Sequence, residues 1–136
     1  MDKNREALTA FYKKALTVNT ETNSTEILTA VLDENFVSYG TVESKTKAQL
    51  IASVGYFWKL MPDLKWEPQD IVNEGNKYVV RSFATGTPNG DFMGLPTDGT
   101  KSFKIMTIDM HKVEDGKLME VHHLEDWGTA MKQLKS

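Results

Sequence analysis

The sequence predicts an α+β protein in which N-terminal helices pack on one face of a mainly antiparallel sheet. Up to Pro62 the apolar positions recur with the period of a helix, whereas later residues form runs rich in β-branched and aromatic side chains. Turn dipeptides separate these runs, so successive strands can pair as hairpins without crossover helices. Long strands that cover three helices curl. We therefore expect a strongly curved sheet that encloses a central cavity.

The elements predicted before Pro62 are a helix over about residues 4–18, a helix that ends near Asp33, a short strand at 36–39 and a third helix that ends before Pro62. In the first helix, apolar residues from Leu8 to Leu16 recur at intervals of three and four, which indicates one buried stripe. Thr46 and Gln49 have the spacing of a capping box and mark the start of the third helix.

The elements predicted after Pro62 are strands at 65–73, 77–87, 101–113 and 117–126 and a short amphipathic helix at 127–134. Asp115-Gly116 is typical of a two-residue hairpin turn. Segment 86–99, rich in glycine and proline, is predicted to be a long loop that acts as a lid or a mobile hairpin connection. Its apolar tip, which includes Phe92, either covers the cavity mouth or extends the core. No repeat divides the chain, so we expect a single domain over residues 1–136.

The composition argues against several classes of protein. A net charge of −3, with only Arg5 and Arg81 as arginines, disfavours a nucleic-acid-binding surface. The longest apolar stretch, residues 50–58, is too short to span a membrane, so we expect a soluble protein. The absence of cysteine excludes disulfides, thiolate nucleophiles and cysteine-type zinc sites. The charged N-terminus lacks a secretory signal, and the expected location is cytoplasmic.

All three histidines fall between residues 111 and 123, on the last two predicted strands. With a two-residue turn, His111 lies opposite Glu120, and Asp109 lies opposite His122. The residues that would then share one face of the sheet are Asp109, His111, Glu120, His122 and Asp126. A three-residue turn with a bulge would instead place Met106, Ile108 and Met110 opposite Glu120, His122 and Asp126.

Carboxylates that flank an imidazole are suited to proton transfer, provided that burial adjusts their pKa values. We expect Asp126 to be the catalytic group, with His122 and Asp109 adjusting its charge. The alternative is a solvated face with cross-strand ion pairs, especially for His111 and Glu120 near the turn. No metal site is expected, because neighbouring histidines on a strand face opposite ways and no helical zinc-binding spacing is present.

Aromatic and apolar side chains on separate elements are expected to line the cavity and to accept a planar or ring-containing ligand. The predicted pocket residues are Tyr12, Tyr39, Trp58, Arg81, Phe92 and Leu124. The stripe of Met106, Ile108 and Met110 belongs either to the inner core or to a sheet face that a partner subunit covers.

Several segments, in order and spacing, resemble the SnoaL-like polyketide cyclases of the nuclear-transport-factor-2-like superfamily. They are Phe57-Trp58, Met61 to Leu64, Asn76 to Arg81, Gly90 to Lys101, Val113 to Leu118, Glu120, Asp126 and Gln133-Leu134. The resemblance covers nearly the whole chain. It implies a cone-shaped sheet, a homodimer, and an intramolecular aldol ring closure on a polyketide ester without a metal or organic cofactor.

The resemblance also implies that Asp126, which ends the last predicted strand, is the general acid/base. His122 and Arg81 are then candidate donors to an enolate. The chain departs from the family at His122, where a tryptophan is common, which makes the cavity more polar. An Arg-x-Asp arrangement associated with epoxide hydrolases of this fold is absent, because Ser82 and Phe83 follow Arg81.

Two functions remain open on the sequence. The first is a small-molecule enzyme that acts without a cofactor on a partly apolar carbonyl compound, as a cyclase of the aldol type or as an isomerase. The second is a noncatalytic ligand-binding or dimeric association module of the same fold. A shared fold does not choose between them.

Overall fold

The protein has an α+β architecture in a computed structural model that describes residues 2–136, as the sequence predicts. Its helices are α1 (Lys3–Ala10), α2 (Ser24–Val31), α3 (Lys47–Leu60) and α4 (Trp127–Lys135). A π-helical turn, Phe11–Ala15, directly continues α1. The strands are β1 (Leu32–Tyr39), β2 (Ser44–Thr46), β3 (Lys65–Glu74), β4 (Lys77–Gly86), β5 (Asn89–Phe92), β6 (Leu95–Asp98), β7 (Phe103–Glu114) and β8 (Lys117–Glu125).

Six of the strands form one mixed, mostly antiparallel sheet in the order β2-β1-β8-β7-β4-β3. The single parallel pair of this sheet joins β1 to β8. Strands β5 and β6 form a separate hairpin within segment 86–99, so most of this segment is regular structure rather than the long loop that we predicted. The short strand β2 and the early start of β1, at Leu32, were not predicted.

The helices begin where polar side chains satisfy free backbone N–H groups. Thr46 and Gln49 make both hydrogen bonds of the predicted capping box at the start of α3. At the start of α2, the side chain of Asn23 accepts from the backbone N–H of Glu26 at 2.8 Å. Asp126 has the same role at the start of α4.

The hairpin of β7 and β8 turns at Asp115-Gly116 as predicted, with φ of 50° and 76°. Both values lie in the left-handed region that a type I′ turn requires. Glu114 then pairs with Lys117, and Val113 pairs with Leu118. Beyond that point the pairing slips by one residue.

The slip is a β-bulge at Met119, which has no partner between the pairs Val113–Leu118 and Lys112–Glu120. A plain strand would point Leu118 and Val121 to opposite faces, because they are three positions apart. The extra residue lets both side chains enter the core, where each is buried. The predicted pairing of Asp109 with His122 is therefore wrong, since Asp109 lies opposite His123 and Met110 lies opposite His122.

The alternating burial of β7 distinguishes the two faces of the sheet. On β7 the alternate residues Phe103, Ile105, Thr107, Asp109, His111 and Val113 are buried under the helices. Met106, Ile108 and Met110 face outward and are 44–46% exposed. The stripe of Met106, Ile108 and Met110 thus belongs to the outer face, which was one of the two predicted alternatives.

The buried apolar residues form a cluster between the inner sheet face and helices α1, α2 and α3. Phe92 from the β5–β6 hairpin is fully buried there, with its ring 5.5 Å from Phe103 and 5.7 Å from Trp127. Of the two roles expected for Phe92, the extension of the core is the one observed. Among residues 2–136, every helix is too short or too polar to cross a membrane. The cytoplasmic location stays a prediction.

Candidate active site

A cavity of about 620 Å³ lies between the inner face of the sheet, helix α3 and the β5–β6 hairpin. Most of its wall is apolar, with contributions from Phe11, Leu50, Phe57, Trp66 and Trp127. Its ionisable groups are Asp109, His123 and Glu125 on the adjacent strands β7 and β8, Glu43 and Lys45 on the β1–β2 connection and on β2, Asp91 on β5 and Tyr56 on α3.

Asp109 is the deepest ionisable group of this wall, with 4% of its surface exposed. Its Oδ2 accepts a hydrogen bond from the Tyr12 hydroxyl at 2.6 Å. Its Oδ1 is buried and has no hydrogen-bond partner among residues 2–136. Asp109 lines the cavity, and Oδ1 is its one side-chain oxygen without a partner among the described residues.

Burial raises the pKa of Asp109 to about 7. The hydrogen bond from Tyr12 acts in the opposite direction and lowers this pKa, the nearby Glu125 raises it further, and His123 lowers it. Near neutral pH, the carboxyl is therefore divided between its protonated and ionised forms. A group in this condition can either accept or release a proton.

His111 lies on the far side of Tyr12 from Asp109. Its Nε2 is 2.7 Å from the Tyr12 hydroxyl oxygen, and its Nδ1 is buried without a partner among the described residues. Burial lowers the pKa of His111 to about 3, so the imidazole is neutral at ordinary pH. Burial, followed by the charge of Asp109, raises the pKa of Tyr12 well above its usual value. Tyr12 thus keeps its proton.

His123 and Glu125 form a second pair on the cavity wall, with His123 Nδ1 2.8 Å from Glu125 Oε2. The hydrogen bond to Glu125 raises the pKa of His123, while partial burial lowers it less strongly. His123 pairs directly with Asp109 across the two strands. Side chains in such a pair have Cβ atoms about 4.5–5.5 Å apart. The Asp109 carboxyl and the His123 imidazole therefore lie side by side.

Asp126, the predicted catalytic acid/base, lies outside the cavity. Its side chain is exposed and accepts hydrogen bonds from the Thr129 hydroxyl at 2.6 Å and the Thr129 backbone N–H at 3.2 Å. The hydroxyl and then the backbone hydrogen bond of Thr129 lower the pKa of Asp126. The expectation that it shares a sheltered face with Asp109 is wrong, because β8 ends at Glu125 and Asp126 begins a helix.

His122 lies on the outer face of the sheet. Its ring stacks on Tyr39 with 4.8 Å between the ring centroids, and its Nε2 is 3.1 Å from Glu120 Oε2. A solvated outer face is thus found for Glu120 and His122, but their ion pair lies within β8 and is not the cross-strand pair of the alternative. It is not found for His111, which is buried.

The six predicted pocket residues are distributed around the cavity rather than in its wall, among the residues that the structure describes. Tyr39 and Leu124 lie on the outer face, where Leu124 is 64% exposed. Arg81 also points outward and forms an ion pair with Asp70 at 2.7 Å. The Trp58 indole donates to the Ala15 carbonyl at 2.7 Å. Phe92 lies in the core. Tyr12 lies behind the cavity wall and contacts it by its hydrogen bond to Asp109.

His123 and Glu125 are site residues that our sequence reasoning missed. The signal that identifies them is the three-residue spacing of Leu118 and Val121, two apolar residues that can share a face only across a bulge. Within residues 2–136, no three side chains of the His, Asp and Glu type are arranged to hold a metal ion. A reaction without metal or cofactor stays a prediction.

A sequence model of the SnoaL-like polyketide cyclase family matches residues 6–134 of the chain. No curated protein sequence matches it. Solved structures share the fold at low identity. A candidate SnoaL-like polyketide cyclase from Jannaschia is similar with a TM-score of 0.85 and 18% identity, over 98% of this chain and 92% of that one.

Two further structures are similar over almost their whole length. IdmH from Streptomyces antibioticus, a candidate polyketide cyclase, has a TM-score of 0.82 and 22% identity, over 99% of this chain and 100% of that one. A SnoaL-like polyketide cyclase from Agrobacterium tumefaciens has a TM-score of 0.76 and 20% identity, over 98% and 99%. At these identities the likeness establishes the fold alone.

The raised pKa of Asp109 predicts an unusual pH dependence of stability. The folded protein holds the Asp109 proton up to about pH 7, whereas an unfolded chain loses it near pH 3.9. Asp109 therefore weakens the fold as pH rises from about 4 to 7, by a free energy on the order of 4 kcal/mol. We expect the variant Asp109→Asn to gain stability relative to the wild type over this range, as measured by urea unfolding.

Asp126→Asn is the matched control, because its folded pKa is lowered rather than raised. Asp126 stabilises the fold above its unfolded pKa, near 3.9, so the stability that this variant loses relative to the wild type stays nearly constant from pH 4 to 7 and disappears only at lower pH. His111, whose folded pKa is below its unfolded value, adds a rise in stability with pH that both variants share. An Asp109→Asn difference that stays constant from pH 4 to 7 would contradict the prediction.

Proposed function

Because the chain belongs to the SnoaL-like polyketide cyclase family, we propose that its cavity binds a partly apolar carbonyl compound and catalyses proton transfer on it without a cofactor. The observation that carries the proposal is Asp109, a carboxyl with a pKa of about 7 that lines an apolar cavity and has one unpartnered oxygen. Perturbed carboxyls in such clefts are typical of general acid/base catalysis.

In the proposed reaction, Oδ1 of ionised Asp109 removes a hydrogen from a carbon next to a carbonyl group. A hydrogen flanked by two carbonyls is acidic enough for a carboxylate of raised pKa to remove it. The electron pair of the C–H bond becomes the enolate. The enolate oxygen then accepts a hydrogen bond from His123, whose pKa the hydrogen bond to Glu125 raises.

The proton on Asp109 is returned in the second half of the reaction. If the enolate carbon attacks a second carbonyl of the same molecule, the proton goes to the new alkoxide and a ring closes, as in an aldol cyclisation. If the proton returns to a different carbon, the result is an isomerisation. In both cases Asp109 ends in its initial ionised state. The proposal thus gives Asp109 the role first expected for Asp126.

The apolar walls support a substrate that presents carbon and ring surface to most of the cavity. Aromatic side chains from the π-helical turn, α3, β3 and α4 line it. Contact with flat apolar rings suits a planar ligand, and exclusion of water keeps the pKa of Asp109 high. The substrate class follows from a cavity that is mostly apolar and in which Asp109 is the buried ionisable group.

We also propose that the protein is a homodimer in which the outer sheet face is covered. This outer-face patch consists of Met106, Ile108, Met110, Leu124 and Tyr39, which are 38–64% exposed. Neighbouring large apolar side chains on a sheet are commonly covered by a partner. A dimer is compatible with catalysis, and also with the noncatalytic association module that the sequence left open.

Catalysis is tested by exchange of α-hydrogens for deuterium in cyclic and linear 1,3-dicarbonyl compounds, followed by NMR in heavy water. We expect Asp109→Asn to slow enzyme-dependent exchange by roughly 10²–10⁴-fold, because it removes the proton acceptor. Wild-type exchange should increase with pH through about pH 7, as Asp109 ionises. Asp126→Asn, which changes an exposed helix cap, should leave the rate unchanged.

Three outcomes would count against catalysis by Asp109. They are an Asp109→Asn variant that retains wild-type exchange, a loss of exchange in Asp126→Asn, and saturable binding of these compounds without any exchange. The last result would favour the noncatalytic ligand-binding function. Persistence of exchange after dialysis against a chelator would support the absence of a metal.

The dimer is tested by light scattering after size-exclusion chromatography at tens of micromolar protein. We expect a dimer for the wild type and a monomer for Ile108→Glu, because this change places a charge within the outer-face patch. Val42→Glu is the control, since Val42 is 94% exposed and lies outside the patch. A monomeric wild type, or an Ile108→Glu variant that remains dimeric, would contradict the proposal.

A further inference from the structure

The Tyr12 hydroxyl lies within hydrogen-bond distance of two buried groups. This hydroxyl has one proton, and it lies 2.6 Å from Asp109 Oδ2 and 2.7 Å from His111 Nε2. If it donates to the carboxylate, it must accept from the imidazole. His111 Nε2 must then carry the hydrogen, because a neutral imidazole has only one N–H.

The surroundings of His111 leave it no other polar contact among residues 2–136. Its side chain is fully buried, its Nδ1 has no partner, and the ring of Phe11 contacts it edge-on with 5.5 Å between centroids. A buried imidazole that makes a single hydrogen bond is an unusual feature, because an unpaired polar atom destabilises a core. A functional role for the one bond that it makes would explain its presence.

We infer that His111 is a positioning residue, which donates its Nε2–H to the Tyr12 hydroxyl and so keeps that hydroxyl directed at Oδ2 of Asp109, leaving Oδ1 as the oxygen that exchanges the substrate proton. The inference rests on the proposed function for the role of Oδ1. The direction of the two hydrogen bonds is independent of that function.

The physical effect of His111 is to strengthen the donor that faces the carboxylate. Hydrogen bonds in a chain polarise one another, so a Tyr12 hydroxyl that accepts from His111 is a better donor to Asp109. This stabilises the ionised carboxylate and opposes the effect of burial. The remaining groups around Asp109 are His123 and Glu125 on β8 and the uncharged Val80 on β4. Of these, only His123 also favours the ionised form.

The same arrangement determines where the proton of Asp109 arrives. Because Oδ2 already accepts from Tyr12, protonation takes place at Oδ1, the oxygen without a partner among residues 2–136. The hydrogen bonds at Tyr12 then keep their direction in both states of Asp109. His111 is therefore expected to keep the Nε2–H tautomer whether the carboxyl is ionised or protonated.

The tautomer is measured in the wild-type protein by ¹⁵N NMR of His111, at pH 9 and at pH 5.5, without any substrate. We expect Nε2 to carry the hydrogen and Nδ1 to be unprotonated at both pH values. A hydrogen on Nδ1 at pH 9, or a change of tautomer between the two pH values, would overturn the inference. This measurement needs no variant and so does not depend on whether one folds.

Two substitutions then separate positioning from packing. His111→Gln keeps an N–H donor where Nε2 lies, whereas His111→Phe keeps the ring and removes the donor. Loss of a hydrogen bond of about 1 kcal/mol corresponds to roughly 0.7 pH units. By ¹³C NMR titration, we expect His111→Phe to raise the pKa of Asp109 by about half a unit to one unit and His111→Gln to leave it near the wild-type value.

If His111 had a packing role alone, the pKa of Asp109 would not differ between His111→Phe and His111→Gln. An Asp109 pKa that is unchanged in His111→Phe, or raised equally in both variants, would overturn the inference. Because these titrations use no substrate, they can fail while the exchange assay succeeds, and the reverse is also possible. If exchange is observed, the midpoint of its pH profile should increase in His111→Phe together with the titrated pKa.

Discussion

The hydrogen bond between the Tyr12 hydroxyl and the buried Asp109 carboxyl is the interaction on which the rest of the site depends. A carboxylate without a partner is strongly disfavoured in an apolar interior. Tyr12 supplies one partner and leaves the second oxygen without a partner among residues 2–136. Burial and this hydrogen bond act in opposite directions on the pKa of Asp109, and their balance holds it near neutrality. Removal of either would shift the carboxyl toward a permanently protonated or a permanently ionised state.

The fold supplies both members of this bond from distant parts of the chain. Tyr12 lies in the π-helical turn that extends α1, whereas Asp109 lies in the middle of β7. The bulge at Met119 then brings His123 and Glu125 to the same face as Asp109 and turns His122 outward. The inner face of this hairpin therefore combines buried and ionisable groups. The outer face carries His122 and most of the outer-face patch.

Much of the fold could be predicted from the sequence, because the signals involved are local. Helical periodicity, the Thr46 capping box and the Asp115-Gly116 turn each depend on residues within a few positions of one another. The bulge could not be predicted in the same way, since it forms where the core accepts both Leu118 and Val121. A side-chain period of two means that one inserted residue reverses every later face assignment. For this reason Asp109 was placed among the candidates, whereas His122 and Asp126 were preferred to His123 and Glu125.

Membership in the SnoaL-like polyketide cyclase family is consistent with this site but does not define its chemistry. The central claim is that the Asp109 carboxyl gains and loses its proton near neutral pH. Direct titration of the Asp109 carboxyl carbon in the wild-type protein by ¹³C NMR tests this claim. We expect the titration of this carboxyl to have its midpoint near pH 7. A midpoint near the ordinary value for an aspartate, about 3.9, would contradict it.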